Sequence, residues 1–236
     1  MIKKIFKKKT KNIFLEQFLA FKAASKDHRF KIDEVDLHPC LDDNTSETKF
    51  DAHYIYHPAW AARILKSTNP KKHVDISSTL HFCSIISAFI PIDFYDFRPA
   101  PLSLDNLNSN RCDITKLDFE DNSIESISCM HTIEHIGLGR YGDPIDVDGD
   151  LKAFNELKRV CAKNGNLLVV VPVGNQKIAF NAHRIYNPNS IISYMDGFDL
   201  QDFSLVTDSN AFISNADLNF AETQNYACGC FWFVKS

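Results

Sequence analysis

Short apolar runs alternate with helix-like segments from about residue 70 onward. Such alternation is typical of a parallel sheet that is covered by helices on both faces. The clearest strand lies at residues 166–173, where Leu-Leu-Val-Val-Val is apolar throughout, as expected of a strand buried on both sides. The pattern therefore predicts an α/β fold with a mostly parallel sheet.

The same pattern places the other elements along the chain. The helix at 151–160 is the best marked, because apolar residues recur every three positions along one face. We expect Asp150 to cap its start and Asn164-Gly165 to end it. The last strand leaves no room for a crossover, so we predict that it pairs antiparallel at the edge of the sheet. Strands are predicted at 73–77, 92–97, 110–114, 124–130, 166–173, 200–206 and 229–234, and further helices at 80–89 and 188–195.

Residues 1–69 precede this alternating region. Helical patterns occur at 12–24 and 58–66, whereas 27–48 is rich in polar residues and is predicted to be a loop. Because so short a segment buries little apolar surface by itself, we expect residues 1–69 to form a helical cap and loop. Residues 70–236 are expected to form the main domain.

Composition and charge narrow the class of protein. Hydrophobic residues make up 44% and charged residues 24%, which is ordinary globular composition. A net charge of -4 gives no reason to expect nucleic acid as a partner. The longest apolar stretches fall well short of the roughly 20 residues that a transmembrane helix needs, and no signal peptide is apparent. The seven cysteines form no C-x-x-C pair, which favours free thiols in the cytoplasm. No oligomeric state is indicated.

Three features suggest a ligand but have simpler explanations. Six lysines among the first eleven residues could touch an anionic surface, yet a solvated helix end is the commoner outcome, so no function is assigned. Cys228 and Cys230 alternate along a predicted strand and could hold a metal, although packing explains them as well. Acidic residues at 143, 146, 148 and 150 do not match a calcium loop, which needs glycine where Leu151 stands. No metal ligand is therefore assigned.

Polar residues follow the predicted strands, and in open parallel sheets ligands bind beyond the carboxyl ends of the strands. Asp75, Ser77 and Ser78 come at the end of the first strand. Asp96 ends the second strand, 21 positions after Asp75. An acidic side chain about 20 residues beyond the first turn is placed to accept hydrogen bonds from a ribose diol. Asp113, at the third strand, is placed to reach the adenine side of such a nucleoside.

The order of these elements resembles the class I S-adenosylmethionine (SAM)-dependent methyltransferases. More narrowly, the runs His-Ile-Gly-Leu-Gly-Arg-Tyr-Gly-Asp at 135–143 and Phe-Asn-Ala-His-Arg at 180–184 resemble the DUF268 family, an uncharacterised methyltransferase-like family. The resemblance covers residues 50–236 and implies a Rossmann-like class I methyltransferase sheet, mostly parallel with an antiparallel C-terminal strand. It further implies SAM as cofactor, bound by the strand-end residues above together with His131.

The cofactor loop departs from the methyltransferase pattern. The first strand of these enzymes usually ends in Asp-x-Gly-x-Gly-x-Gly, because glycine lets the backbone approach the cofactor without a Cβ atom in the way. Here the sequence reads Asp-Ile-Ser-Ser-Thr-Leu from Asp75, and Ser77 stands where the first glycine would be. Either the serines make the tight turn, or SAM binding has weakened or been lost.

Four residues are candidates for catalysis. His135, beside Glu134, could act as a general base toward a hydroxyl, or it could simply pack in the cofactor loop. His183 and Arg184 follow the fifth strand, where arginine could grip an anionic group of a substrate or brace a loop. The glycines after His135 could give a mobile lid over the substrate.

The function favoured by these residues is transfer of a methyl group from SAM to an oxygen or nitrogen of a small polar acceptor. The hydrophilic loops and Arg184 favour a sugar or sugar nucleotide. The alternative is a degenerate methyltransferase fold that acts as a non-catalytic binding or scaffolding protein, as the missing glycines suggest. A nucleotide-dependent oxidoreductase fits less well, because it too needs the glycine fingerprint.

Overall fold

The computed structural model describes residues 2–26 and 29–236, with residues 2–11 described by their backbone alone. The side chains of the six N-terminal lysines therefore lie outside the described residues. The chain divides into two compact units, one ending at Phe50 and one running from Asp51 to Ser236. Within the described ranges, no helix combines the length and the hydropathy that crossing a bilayer needs.

The first unit contains one long helix. Helix α1 spans Ile2–Ala24 and so begins earlier than the predicted 12–24. The described residues that follow it are mostly irregular, in agreement with the predicted loop. A short 3-10 helix, Glu34–Asp36, interrupts them, and the Asp33 carboxylate caps it by accepting a hydrogen bond from the Val35 N–H.

The second unit contains a mixed sheet flanked by helices. Its helices are α2 Ala52–Thr68, α3 Leu80–Ile86, α4 Gly149–Val160, α5 Pro188–Tyr194 and α6 Leu218–Glu222. Its strands are β1 His73–Ile76, β2 Ile92–Asp96, β3 Leu107–Arg111, β4 Ile124–Met130, β5 Cys161–Val173, β6 Lys177–Ala179, β7 His183–Ile185, β8 Phe198–Val206, β9 Phe212–Ile213 and β10 Ala227–Lys235.

The strand order is β3-β2-β1-β4-β5-β10-β8-β9, and β6 and β7 form a separate hairpin. Strands β1 to β5 pair in parallel with one another, whereas β10 is antiparallel to both β5 and β8. The predicted fold class and the antiparallel last strand are confirmed. The predicted position of that strand is wrong, because β10 lies inside the sheet and not at its edge. Its run Ala227–Phe231 is entirely buried, as a strand paired on both sides requires.

Strand β5 shows why the sheet is covered on both faces. Leu167, Val169 and Val171 belong to one apolar core, together with residues of α4. Leu168 and Val170 belong to a second core, together with residues of α2 and α3. Successive side chains of a strand point to opposite faces, so an uninterrupted apolar run is needed to fill both cores.

Helix α2 belongs to the unit that holds the sheet. It begins at Ala52, where the Asp51 carboxylate caps the first turn. The sequence prediction placed the start of this helix at Pro58, but Pro58 lies inside the helix. Trp60 donates its indole N–H to Asp202 of β8 at 2.8 Å. The compact unit around the sheet therefore includes a helix that the sequence assigned to the N-terminal cap.

The predicted caps of α4 are also wrong, although its predicted last residue, Val160, is correct. Asp150 does not cap the helix; its carboxylate accepts a hydrogen bond from the Tyr186 hydroxyl at 2.9 Å. The helix ends at Val160, and Asn164-Gly165 lies within β5. Asn164 has a left-handed φ of 60°, at a point where the pairing of β4 with β5 shifts register. Asn164-Gly165 therefore marks an irregularity within strand β5 and not the end of helix α4.

Candidate functional site

A cavity lies at the carboxyl ends of β1 to β4. In open sheets ligands bind where the strand order reverses, and here the reversal lies between β1 and β4. The wall of the cavity contains Ser77 after β1, Asp96 at the end of β2 and Asp113 after β3, with His131 and His135 after β4. Half of the predicted site residues therefore meet at one cavity.

The turn after β1 has the backbone conformation that a glycine would supply. Ser77 has a φ of 58°, in the left-handed region that costs an ordinary residue roughly 1–2 kcal/mol. Its N–H and its hydroxyl both donate to the Tyr95 carbonyl, at 2.7 and 3.1 Å. Its own carbonyl accepts a hydrogen bond from the Thr132 hydroxyl at 2.8 Å. Serine thus makes the tight turn without glycine.

Asp75 and Ser78 lie behind the cavity wall. The fully buried Asp75 carboxylate accepts hydrogen bonds from the Ser78 N–H at 3.0 Å and from the Ser128 hydroxyl. The Ser78 hydroxyl in turn accepts a hydrogen bond from the Met130 N–H at 3.1 Å. Burial raises the pKa of Asp75 against the opposing effect of these donors. Both residues hold the ends of β1 and β4 together beneath the cavity.

Asp96 and Asp113 are each fixed by a local turn. Oδ1 of Asp96 accepts a hydrogen bond from the Arg98 N–H at 2.6 Å. Oδ1 of Asp113 accepts hydrogen bonds from the N–H and the hydroxyl of Thr115, at 2.9 and 2.7 Å. That turn ends the extended chain, so β3 stops at Arg111 and lies three residues earlier than predicted. Both carboxylates are held at the cavity by donors on their own loops.

Glu134 lies between two imidazole rings. Its Oε1 accepts a hydrogen bond from Nδ1 of His131 at 2.9 Å and lies 3.7 Å from Nε2 of His135. Nδ1 of His135 donates to the Ala182 carbonyl at 2.6 Å, which leaves Nε2 as the nitrogen with a lone pair. Burial lowers the pKa of His135, against the opposing charge of Glu134. His135 is therefore mostly neutral at pH 7 and able to accept a proton.

The glycine-rich segment 136–149 is organised around Asp143. The Asp143 carboxylate accepts hydrogen bonds from the N–H groups of Gly137, Gly139 and Tyr141, at 2.8, 3.3 and 3.1 Å. Partial burial alone would raise the pKa of Asp143, but these donors outweigh it and lower the pKa. Tyr141 lines the cavity, and the Arg98 guanidinium lies 4.7 Å from the centre of its ring. The segment is a fixed wall of the cavity in this conformation.

Arg184 is 6% exposed and braces this segment from behind. Its guanidinium donates to the carbonyls of Ile136 and Val147, at 2.6 and 3.3 Å. The third nitrogen lies 3.4 Å from the Asp150 carboxylate. The ring of its neighbour His183 packs at a tilt against the ring of Tyr226, with 4.8 Å between centroids. The contacts of Arg184 match the bracing alternative left open by the sequence.

Sequence reasoning missed a cluster of rings around His131. His53, Tyr54 and His57 of α2 lie with their ring centroids 5.5, 5.3 and 5.1 Å from that of His131. Tyr226 stacks on His53 at 5.2 Å. His53 and His57 are four positions apart and share a helix face. This spacing was the available signal, and it was overlooked because the helix was predicted to begin after both residues.

The fold is that of the class I SAM-dependent methyltransferases. The chain superposes on Burkholderia thailandensis 1,6-didemethyltoxoflavin-N1-methyltransferase, solved with S-adenosylhomocysteine, with a TM-score of 0.55 at 11% identity over 77% of this chain and 79% of that one. Haemonchus contortus phosphoethanolamine N-methyltransferase 2 gives 0.51 at 14% identity over 75% and 53%. The [4+2]-cyclase SpnF gives 0.52 at 11% identity over 75% and 80%. Such identities show the fold alone.

The chain belongs to the DUF268 family, described as Caenorhabditis protein of unknown function, whose model matches residues 109–229, just over half of the chain. An uncharacterized protein of Methanocaldococcus jannaschii is 32% identical over 92 residues, which make up 37% of this chain. The chain covers 36% of the length of that relative. The matched family region includes all of the cavity wall that follows β3.

Proposed function

We propose that this protein is a SAM-dependent methyltransferase that acts on an oxygen or nitrogen atom of a small polar acceptor. One observation carries the proposal. The Ser77 turn, Asp96 and Asp113 meet at one cavity, at the carboxyl ends of three neighbouring parallel strands. A nucleoside cofactor binds at this place in such sheets.

The residues present fit a bound SAM. The left-handed Ser77 supplies the turn usually made by glycine, and its hydroxyl is tied to Tyr95. We assign Asp96 to the ribose hydroxyls, because a carboxylate accepts two hydrogen bonds from a diol. We assign Asp113 to the adenine side. When bound, SAM supplies a methyl group on a positively charged sulfur.

His135 is the proposed general base. With Nδ1 donating to Ala182, the lone pair of Nε2 is available for the proton of an acceptor hydroxyl. Glu134, 3.7 Å away and 1% exposed, would then face a protonated imidazole and stabilise its charge. The histidine and the carboxylate thus act as a pair, in which Glu134 stabilises and orients His135.

Arg184 and His183 are proposed to shape the acceptor side. Arg184 acts as a positioning residue, because its guanidinium bonds fix the segment 136–149 that walls the cavity. The ring of His183 lies 6.4 Å from that of His135, close enough to border the acceptor. Sugars and sugar nucleotides remain the acceptor class that we propose to test first.

The test is a calorimetric titration of the purified chain with SAM and with S-adenosylhomocysteine. We expect saturable binding of both at micromolar concentrations. Binding would direct the next experiments to methyl transfer from labelled SAM to a panel of sugars, sugar nucleotides and amines. If a folded sample binds neither compound, the proposal is wrong and the non-catalytic alternative replaces it.

A further inference from the structure

His131 has the bonding pattern of a metal ligand. Its Nδ1–H donates to Oε1 of Glu134 at 2.9 Å, and the two side chains are 3% and 1% exposed. Nε2 is then the nitrogen with a lone pair, and this buried atom lacks a hydrogen-bond partner in the structure. Histidines that bind metals usually donate their other N–H to a carboxylate in this way. A buried lone pair without a partner is costly unless something occupies it.

Two further potential ligand atoms lie close to an imidazole nitrogen of His131. His53, His131 and Cys228 each present a ligand atom, and all these atoms lie within 4.8 Å of one another. Cys228 is fully buried and His53 is half-buried. Next to them, Nε2 of the buried His57 likewise lacks a hydrogen-bond partner. The rings of His57 and His131 meet edge to face, with 5.1 Å between their centroids.

We propose that His53, His131 and Cys228 bind a divalent transition metal ion of the zinc class, with Glu134 orienting His131. Imidazole and thiolate are ligands that zinc prefers, whereas magnesium and calcium take oxygen. Zinc binds nitrogen at about 2.0–2.1 Å and sulfur at about 2.3 Å, so tetrahedral ligand atoms lie roughly 3.3–3.6 Å apart. The half-buried His53 can close the remaining distance by rotating its side chain. Binding displaces the thiol proton of Cys228 to solvent.

Three protein ligands leave a fourth position open. Structural zinc sites are usually closed by four protein ligands, whereas sites that bind a water or substrate keep one position free. His131 also lines the cavity, so the ion would lie beside it. This proposal does not depend on methyl transfer, and it holds for a non-catalytic protein as well.

The experiment is a Co²⁺ titration of the full chain, prepared without a histidine tag, reduced and stripped with a chelator. We expect one equivalent of Co²⁺ to give tetrahedral visible bands and a thiolate charge-transfer band, both removed by added Zn²⁺. Cys228→Ser should abolish the charge-transfer band, and His131→Ala and His53→Ala should weaken binding by about tenfold or more. Glu134→Gln should weaken it by about 10- to 100-fold, the usual effect of losing an orienting carboxylate.

Cys230→Ser is the matched control, because Cys230 lies on the same strand with its sulfur 3.8 Å from that of Cys228. It should keep the full spectrum. Circular dichroism checks that each variant is folded. If a variant of a buried residue does not fold, the test relies on His53→Ala, because His53 is partly exposed. The proposal is overturned if the folded wild-type chain does not bind Co²⁺. It is also overturned if the thiolate charge-transfer band persists in Cys228→Ser, or if His53→Ala binds Co²⁺ as tightly as the wild-type chain.

Discussion

Left-handed residues close the two strands that flank the reversal of strand order. Ser77 follows β1 with a φ of 58°, and His131 follows β4 with a φ of 56°. Each conformation costs roughly 1–2 kcal/mol, and each is held by hydrogen bonds, such as that from the His131 N–H to the Val170 carbonyl at 2.8 Å. Strained backbone conformations that surrounding hydrogen bonds hold in place are common at ligand-binding sites, where a side chain must point toward the ligand.

Two substitutions of Ser77 separate the cost of its left-handed conformation from the contribution of its hydroxyl hydrogen bond. Ser77→Gly removes the left-handed strain, but it also loses the hydrogen bond from the hydroxyl to Tyr95 and adds freedom to the unfolded chain. We therefore expect its free energy of unfolding to lie close to that of wild type and above that of Ser77→Ala. Ser77→Ala keeps the strain and loses the bond, so it should be less stable by about 1 kcal/mol. Urea denaturation measures both. Equal stability of the two variants would contradict this account of the turn.

The proposed binding mode of SAM depends on hydrogen bonds between Asp96 and the ribose. Asp96→Ala should weaken SAM binding by about 1–3 kcal/mol, because charge-assisted hydrogen bonds to the ribose are lost. Asp93→Ala is the control on the same strand; Asp93 binds Asn108 and Lys72 and is not part of the cavity wall. Calorimetry should show near wild-type affinity for the control. Unchanged affinity in Asp96→Ala would show that the ribose assignment is wrong.

Among the elements, the segment 136–149 is the one on which the shape of the cavity depends. Arg184, Asp143 and the left-handed glycines hold it. A Cβ atom on Gly137, whose φ is 79°, would lie 2.0 Å from the Asp146 carbonyl oxygen. Gly142, with a φ of 84°, has open space around the same position. The two glycines therefore differ in packing but not in backbone conformation.

Gly137→Ala and Gly142→Ala use this difference. Both alanines would adopt a left-handed conformation, which costs roughly 1–2 kcal/mol. Only the alanine at position 137 would also clash with the Asp146 backbone and so displace the segment 136–149. We expect Gly137→Ala to be cleaved faster within 136–149 under limited proteolysis and to bind SAM more weakly. Gly142→Ala should resemble wild type in both measurements. Similar behaviour of the two variants would mean that packing against Asp146 does not hold the segment.

The elements also show what a sequence can predict. Strand β4 was predicted at its observed residues, and β5 and α4 were predicted with the correct last residue but begin earlier than expected. Local apolar patterns mark these three elements strongly. The position of β10 could not be predicted, since a pattern shows that a strand is buried but not which strands it pairs with. The start of helix α2 was predicted too late, at Pro58, and the cap at Asp51 was not recognised. The cluster of His53, His131 and Cys228 is assembled only by folding, from residues far apart in the chain.

At the scale of the whole molecule, a polar network crosses the buried centre of the sheet. His73 of β1 contacts the hydroxyls of Ser126 and Ser128 of β4, each at 2.8 Å, and Ser128 donates to Asp75. Because Ser128 donates to the carboxylate, it accepts from Nε2–H of His73, and Nδ1 accepts from Ser126. This pattern satisfies a neutral imidazole, and burial lowers the pKa of His73 to about 3.

The network predicts acid sensitivity. Between the lowered pKa of about 3 and the ordinary value of 6.5, the unfolded chain binds a proton at His73 that the folded chain does not. The contribution of His73 to stability is therefore complete above pH 6.5 and is lost as the pH falls toward 3. Urea denaturation at pH 7, 6 and 5 should give a slope that is less steep in His73→Gln than in wild type, by about 1 kcal/mol per pH unit below pH 6. Parallel slopes would contradict the assignment.

The interior position of β10 has a consequence for biosynthesis. Strands β5 and β8 both precede β10 in the chain, yet each pairs with it and not with the other. Until Ala227–Lys235 has left the ribosome, both strands present unpaired backbone along edges that are apolar over much of their length. Unpaired edges of this kind recruit other chains. The nascent protein is thus exposed to aggregation until this strand inserts.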